Sequence, residues 1–210
     1  MTIQNNLFPD EVIRAYRISF SFNQDRIIQN ICELHIKGVI ELDPTYSKGN
    51  FYKAGIVNEP KYKYDLFPQT VDTIQSDFIN IPLDADSINS IMFDPPFLIK
   101  TDENETGKIK ARFSCFENIT DLESSYQLAL NEFYRLLKPK GYLIFKCQDF
   151  CCGGKQYFSH IDYVYTPAKE IGFKAIDLII LLAKNKITKV HWGNQKHVMK
   201  LHSYFWVFKK

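Results

Sequence analysis

"TDLESSYQLALNEFYRLLKPKGYLIFKC", residues 120–147, changes its periodicity part-way along. Leu122, Tyr126, Ala129, Leu130, Phe133, Leu136 and Leu137 recur at spacings that lay one apolar stripe along a helix. Thr120 with Glu123 reads as a capping box at its start. Pro139 and Gly141 punctuate its end, and "YLIFKC" (142–147) follows as a strand. A helix that hands over directly to an apolar strand is the building unit of an α/β sheet.

The flanking sequence repeats the alternation. Downstream, a helix is expected around 158–171, ended by Gly172, then strands over 174–184 and 202–210. No helix of ordinary length separates those two strands, so they are expected to form an antiparallel hairpin at one sheet edge. Upstream, Asn23 is a suitable N-cap for a helix over 23–35, in which Ile27, Ile28, Ile31 and Leu34 recur at helical spacing. "VIEL" (39–42), "KYKYDLF" (61–67), "DTIQSDF" (72–78) and "SINSIMFD" (87–94) read as further strands. The pattern predicts an α/β fold with a mainly parallel sheet, in one domain over 1–210, with residues 1–22 as an N-terminal arm. Residues 98–119 are polar and charge-rich and read as a long loop.

Composition narrows the function classes. Hydrophobic residues make up 45% of the 210 and charged residues 24%, which is the balance of a folded domain. The longest apolar run, "LIILLA" (178–183), is strand-sized, so no membrane span is expected, and no secretory signal is visible at the start. A cytoplasmic location is the default expectation. The five cysteines form no pairing framework, and "CQDFCC" (147–152) has no second Cys/His pair at metal-ligand spacing. Net charge is +2, but no acidic residue follows Asp177, and the last 33 residues carry seven lysines and three histidines. Lys186, Lys189 and Lys196 are therefore candidates for contacts with nucleic-acid phosphates.

Asp43, Asp65, Asp77 and Asp94 each fall at or just beyond the end of a predicted strand. In open α/β sheets, ligands bind outside the C-terminal ends of the strands. A carboxylate there accepts both hydroxyls of a ribose in a fork, and Asp65 is placed for that. Asp77 with Phe78 is placed for an adenine amino group. Gly49, in the turn-rich loop 43–55, lets the backbone approach a ligand closely. The four positions together point to a nucleoside cofactor.

"FDPPF" (93–97) adds the chemistry. An exocyclic amino group on a nucleobase is a poor nucleophile, because its lone pair is delocalised into the ring. Accepting its hydrogens localises that pair toward an electrophile. Asp94 offers one acceptor, and a backbone carbonyl of the Pro95 region offers the other. Pro95 and Pro96 fix φ and remove competing donors, and Phe97 offers a face for base stacking.

"FDPPF" resembles the Asp-Pro-Pro-aromatic motif of S-adenosylmethionine-dependent methyltransferases that modify amino groups. "IELDPTYSKG" (40–49) is similar to their cofactor loop, usually Asp-Pro-Phe-x-Gly-x-Gly, with Ser47 at the first glycine position. "NEFYRLLKPKGYLIFKCQD" (131–149) and "KLHSYFWVFKK" (200–210) resemble a helix–strand unit and the final strand of the DNA amino-methyltransferases. The resemblance implies a Rossmann-like class I methyltransferase fold, with a mainly parallel seven-stranded sheet and a C-terminal antiparallel hairpin. It implies S-adenosylmethionine as cofactor, held by Asp43, Pro44, Thr45, Tyr46, Gly49, Asp65, Asp77 and Phe78, with Asp94, Pro95, Pro96 and Phe97 as the catalytic set. The favoured substrate is adenine N-6 in DNA; cytosine N-4 and an RNA base amino group are alternatives. Such enzymes often carry a separate target-recognition domain, for which 210 residues leave no room; within the chain the loop 98–119 and the lysine-rich connection 184–200 are the candidates for reading the target, and a partner subunit is the alternative. A different class remains open: a methyltransferase-like subunit that binds nucleic acid without catalysing transfer.

Overall fold

The computed structural model describes residues 16–97, 99, 116–183 and 196–210. Helix α1 (Gln24–Ile31) starts where the Asn23 side chain accepts from the backbone N–H groups of Asp25 and Arg26, satisfying two donors of the first turn. Ile27, Ile28 and Ile31 on its inner face are fully buried. It runs on through a π-helical turn, Cys32–Ile36, to Lys37, which is left-handed at φ 53°.

Strands β1 (Phe20–Ser21), β2 (Leu42–Asp43), β3 (Tyr62–Asp65), β4 (Ile74–Gln75) and β5 (Ile88–Phe93) precede helix α2 (Ile119–Leu136). Strand β6 (Leu137–Cys147) follows α2 without a break. A small hairpin, β7 (Phe150–Cys152) and β8 (Lys155–Tyr157), then leads to a second π-helical turn, His160–Tyr165, and helix α3 (Thr166–Ile171). Strands β9 (Lys174–Leu182) and β10 (His202–Lys209) complete the described chain.

The main sheet has the order β1-β9-β10-β6-β5-β2-β3-β4. β10 runs antiparallel to both β6 and β9, and the other pairs are parallel. From β2 the chain steps outward to β3 and β4, then returns to β5 and steps the other way to β6. The strand order therefore reverses between β2 and β5, which opens a crevice at their C-terminal ends. Each face of the sheet has its own core. Leu122, Tyr126, Ala129, Leu130, Phe133 and Leu136 of α2 pack on Phe93 and Phe145 on one face. Ile27, Ile28 and Ile31 of α1 pack on Met92, Ile144, Phe205 and Val207 on the other. This is why residues 91–93 of β5 and 143–145 of β6 are continuously apolar: alternate side chains enter different cores.

Three expectations need correction. The N-cap of α2 is Asn118, whose side chain accepts from Asp121 N–H at 2.9 Å; Thr120 already lies inside the first turn, so the Thr120–Glu123 capping box does not form. The sheet has eight strands rather than seven, because Phe20–Ser21, assigned to the N-terminal arm, pairs in parallel with β9. The β9–β10 hairpin is antiparallel as expected, but β1 covers it, so it is not the sheet edge. The β7–β8 hairpin was not anticipated. Its signal was the pair Gly153–Gly154, both at positive φ (57° and 75°), as a two-residue turn between twisted strands requires. Among the described residues, no helix is long and apolar enough to cross a membrane.

Candidate cofactor and acceptor site

The loop after β2 is shaped from inside by Asp43. Its side chain is fully buried, with Oδ1 accepting from Thr45 N–H at 2.9 Å and Oδ2 from the Tyr52 hydroxyl at 2.9 Å. Burial pushes the Asp43 carboxyl up to about 7; the bonds from Thr45 and Tyr52 oppose the shift and the nearby charge of Asp94 adds to it. Asp43 thus holds the loop rather than facing the crevice, and Pro44 is buried beside it.

The loop next crosses the end of β3. Tyr46 N–H donates to the Tyr64 carbonyl at 3.0 Å. Ser47, at the position where the resemblance expects glycine, is left-handed at φ 52° and donates its N–H to Asp65 Oδ2 at 2.8 Å. The loop therefore adopts the glycine-type turn with serine in it. Gly49 follows at φ 64°, and a Cβ there would stand 2.4 Å from the Tyr46 hydroxyl oxygen. The Tyr46 ring is buried and stacked on Tyr52, with centroids 5.8 Å apart, so it has no simple way to yield.

Asp65 accepts a second backbone bond, from Phe67 N–H to Oδ1 at 2.8 Å. Each carboxylate oxygen takes one such bond, which leaves each a lone pair for a ribose hydroxyl. Asp77 Oδ1 accepts from Ile79 N–H at 3.2 Å, and Phe78 packs edge-on against Phe93 with centroids 5.1 Å apart. The donor and acceptor set at the ends of β3 and β4 suits a nucleoside.

Asp94 lies immediately past β5, beside the 44–49 loop. Its N–H donates to Thr45 Oγ1 at 3.0 Å, which ties the predicted catalytic motif to the predicted cofactor loop. Its Oδ2 accepts from Lys146 Nζ at 3.1 Å. The ammonium also lies over the Phe51 and Phe205 rings, at 5.3 and 5.7 Å from their centroids. On the other face, the Tyr126 hydroxyl donates to the Pro96 carbonyl at 2.9 Å. Burial raises the Tyr126 phenol well above its usual value, so it remains a donor. Pro95 is buried, while Pro96 and Phe97 are partly exposed.

Asp43, Asp65, Asp94 and the 44–49 loop are thus joined by direct hydrogen bonds, with Asp77 and Phe78 on the same edge of the sheet. Lys186 and Lys189 lie outside the described residues; Lys196 is exposed, just ahead of β10. Sequence reasoning missed Lys146, although a lone lysine inside "YLIFKC" was a visible signal. It also missed the pairing of Asp149 with His160. Asp149 is almost fully buried and accepts from His160 at 2.8 Å and from the Tyr204 hydroxyl at 3.3 Å, while His202 bonds Tyr204 at 2.8 Å. Burial would raise Asp149, but the His160 contacts outweigh it and hold the carboxyl below its usual value. Among the described residues, no group of His, Cys, Asp and Glu side chains gathers as a metal site.

The architecture has solved counterparts. A SAM-dependent methyltransferase from Thermotoga maritima superposes with a TM-score of 0.51 at 13% identity, covering 90% of each chain. The fold is that of the class I S-adenosylmethionine-dependent methyltransferases. TrmN from Thermus thermophilus matches with a TM-score of 0.50 at 13% identity over 89% of this chain and 48% of its own. TTHA0409, also from Thermus thermophilus, named as a candidate DNA modification methylase and solved with S-adenosyl-L-methionine, matches with a TM-score of 0.42 at 15% identity over 64% of this chain. The chain spans about half the length of TTHA0409, 53% of it. No protein-family model and no curated protein matches the sequence. Within the class I fold, the crevice between β2 and β5 is the switch-point crevice already identified from the strand order.

Proposed function

We propose that this protein is an S-adenosylmethionine-dependent methyltransferase acting on an exocyclic amino group of a nucleobase, with adenine N-6 in DNA as the favoured target. The observation that carries the reading is the setting of Asp94. Its carboxylate stands at the switch-point crevice on a Pro-Pro segment, bonded through its own N–H to Thr45 of the cofactor loop. When bound, S-adenosylmethionine supplies an electrophilic methyl group.

The remaining work falls to this chain. Asp65 would hold the ribose hydroxyls, and Asp77 with Phe78 the adenine end. Pro44, Thr45, Tyr46 and Gly49 would line the loop that approaches the cofactor, with Asp43 holding its shape. Asp94 accepts one hydrogen of the substrate amino group and the Pro95 carbonyl the other, which turns the nitrogen lone pair out of the ring. The Pro96 carbonyl already accepts from Tyr126, which favours Pro95 for that second bond and stiffens the segment. Phe97 stacks on the flipped base.

Lys196, with Lys186 and Lys189, would contact phosphates. A partner subunit would supply further target recognition. Charge-removing changes at the three lysines should flatten the dependence of nucleic-acid affinity on salt, and an unchanged slope would return them to the solvated surface.

The reading is tested by incubating the protein with methyl-labelled S-adenosylmethionine and separate DNA, RNA and protein pools, followed by mass spectrometry of the modified nucleosides. Label on adenine N-6 from DNA is expected. Label on cytosine N-4 or on an RNA base would move the substrate, and label on protein would overturn the nucleobase assignment. Calorimetry with the cofactor separates enzyme from silent subunit: no binding up to millimolar concentration would favour the latter.

A further inference from the structure

Lys146 is an unusual side chain for its place. It belongs to β6, where Ile144, Phe145 and Cys147 around it are fully buried, and its own side chain is only 13% exposed. A lysine there gives up most of its hydration. An ion pair in such a setting adds little net stability over an apolar residue of similar size. Stability alone therefore does not account for it.

What Lys146 does do is geometric. Strands β5 and β6 are in register at Phe93 and Phe145, so the next residues, Asp94 and Lys146, emerge side by side at the crevice. The Asp94 backbone is already held, by Thr45 at its N–H and by the two prolines after it. The carboxylate itself has one anchor among the described residues, Lys146 on Oδ2. The ammonium is steadied in turn by the Phe51 and Phe205 rings. Oδ1 is then the oxygen left to accept.

We propose that Lys146 is a positioning residue: it ties Oδ2 of Asp94 and so presents Oδ1 alone, in one orientation, to the substrate amino group. The inference rests on the reading of Asp94 as the amino-group acceptor. It also bears on substrate class. One carboxylate oxygen plus one backbone carbonyl makes two acceptors, which matches the two hydrogens of a primary amino group. Once methylated, the nitrogen has a single hydrogen and no longer satisfies both, so the product should carry one methyl group.

The test compares the unsubstituted protein with Lys146→Met, Lys146→Arg, Asp94→Asn and the Asp94→Asn/Lys146→Met double variant. Methyl transfer should fall about 100-fold in Lys146→Met, as a misplaced catalytic group costs. Cofactor affinity by calorimetry should stay within about threefold, and Lys146→Arg should recover part of the rate. In the Asp94→Asn background, adding Lys146→Met should cost nothing further, because the residue it positions is gone. Independently of activity, the Lys146 ammonium should give an exchange-protected NMR signal that Asp94→Asn removes.

Full activity in Lys146→Met, or rate losses that multiply in the double variant, would overturn the role of Lys146 while leaving the acceptor reading intact. No methyl transfer by the unsubstituted protein to any nucleic acid would overturn the acceptor reading and the role of Lys146 with it. The NMR signal would then show only that the ion pair exists.

Discussion

On one side of the switch point, β5, β6, β10 and β9 run for six, eleven, eight and nine residues; on the other, β2, β3 and β4 run for two, four and two. The long half is joined by extended backbone ladders and by aromatic contacts such as Phe93 with Phe133 and Phe145, at 4.7 and 4.9 Å between centroids. The short half has few ladder bonds, and carboxylates connect it instead. Asp43, Asp65 and Asp77 each accept a backbone N–H from the loop that follows their own strand, and Asp65 a second from Ser47 in the loop after β2. The short half is therefore held by a small number of polar side chains, and its shape depends on their hydrogen bonds and on tight turns. The long half is held by paired strands.

The sharpest way to break this contrast is at Asp94, on the long half. Asp94→Ala should lower methyl transfer by about 1,000-fold, as expected when a preorganised polar group at the reacting centre is lost. Cofactor affinity should change little, whereas the denaturation midpoint should fall, because Lys146, only 13% exposed, loses its charge partner even though the β5–β6 ladder stays intact. Retained activity would remove Asp94 from the chemistry.

The next effect is on the short half and depends on pH. Asp43 is raised in the folded protein from 3.8 to about 7, so the folded state keeps a proton that the unfolded chain releases. The stability this contributes is present below about pH 4 and is lost as pH rises through about 7, a change on the order of 4 kcal/mol. Urea denaturation at intervals from pH 5 to 8 should show stability falling, and Asp43→Asn should flatten that part of the curve. A profile that is the same in both proteins would mean that Asp43 titrates normally.

A pair of glycines separates steric contact from backbone strain. Gly49 and Gly153 have similar positive φ, 64° and 57°, but a Cβ at Gly49 meets Tyr46 whereas one at Gly153 meets nothing within 4 Å. Gly153→Ala should cost about 1 kcal/mol from the left-handed conformation alone. Gly49→Ala should cost about 3 kcal/mol and weaken cofactor binding, because overpacking against a buried ring is added. Equal losses would show that the loop relaxes. Ser47→Gly is the mildest change: it relieves a left-handed serine, so stability should shift by no more than about 1 kcal/mol, with the loop unchanged.

Much of this was legible in the chain. The six stripe positions that lie on α2, Leu122 through Leu136, are all buried, because a 3.6-residue period has one way to meet a sheet; Leu137, read with them, is buried as the first residue of β6. Asn23 caps α1 as its residue type suggested. Asp65, Asp77 and Asp94 lie at or just past the ends of β3, β4 and β5, where the apolar and turn residues of each segment mark the strand ends. The misses share a cause. Thr120 and Asn118 are both acceptable caps, and which one adopts the extended conformation depends on how the preceding chain arrives. Phe20–Ser21 is too short to carry a period, and pairing with β9 is a long-range event. Lys146 is a lone charge in an apolar strand, and its partner lies 52 residues away, a pairing that only the β5–β6 register creates.

By itself the sequence determined the class of fold, the positions of the carboxylates along the strands and the stiffness of Asp94-Pro95-Pro96. Those follow from periodicity and from the covalent limits on proline, which act over a few residues. Only the tertiary structure decided that Asp43 is sealed in while Asp65 and Asp94 are not, that Thr45 joins the loop to the motif, and that Lys146 holds one oxygen of Asp94. Burial and charge pairing are set by what other strands bring alongside, and local sequence does not contain that information.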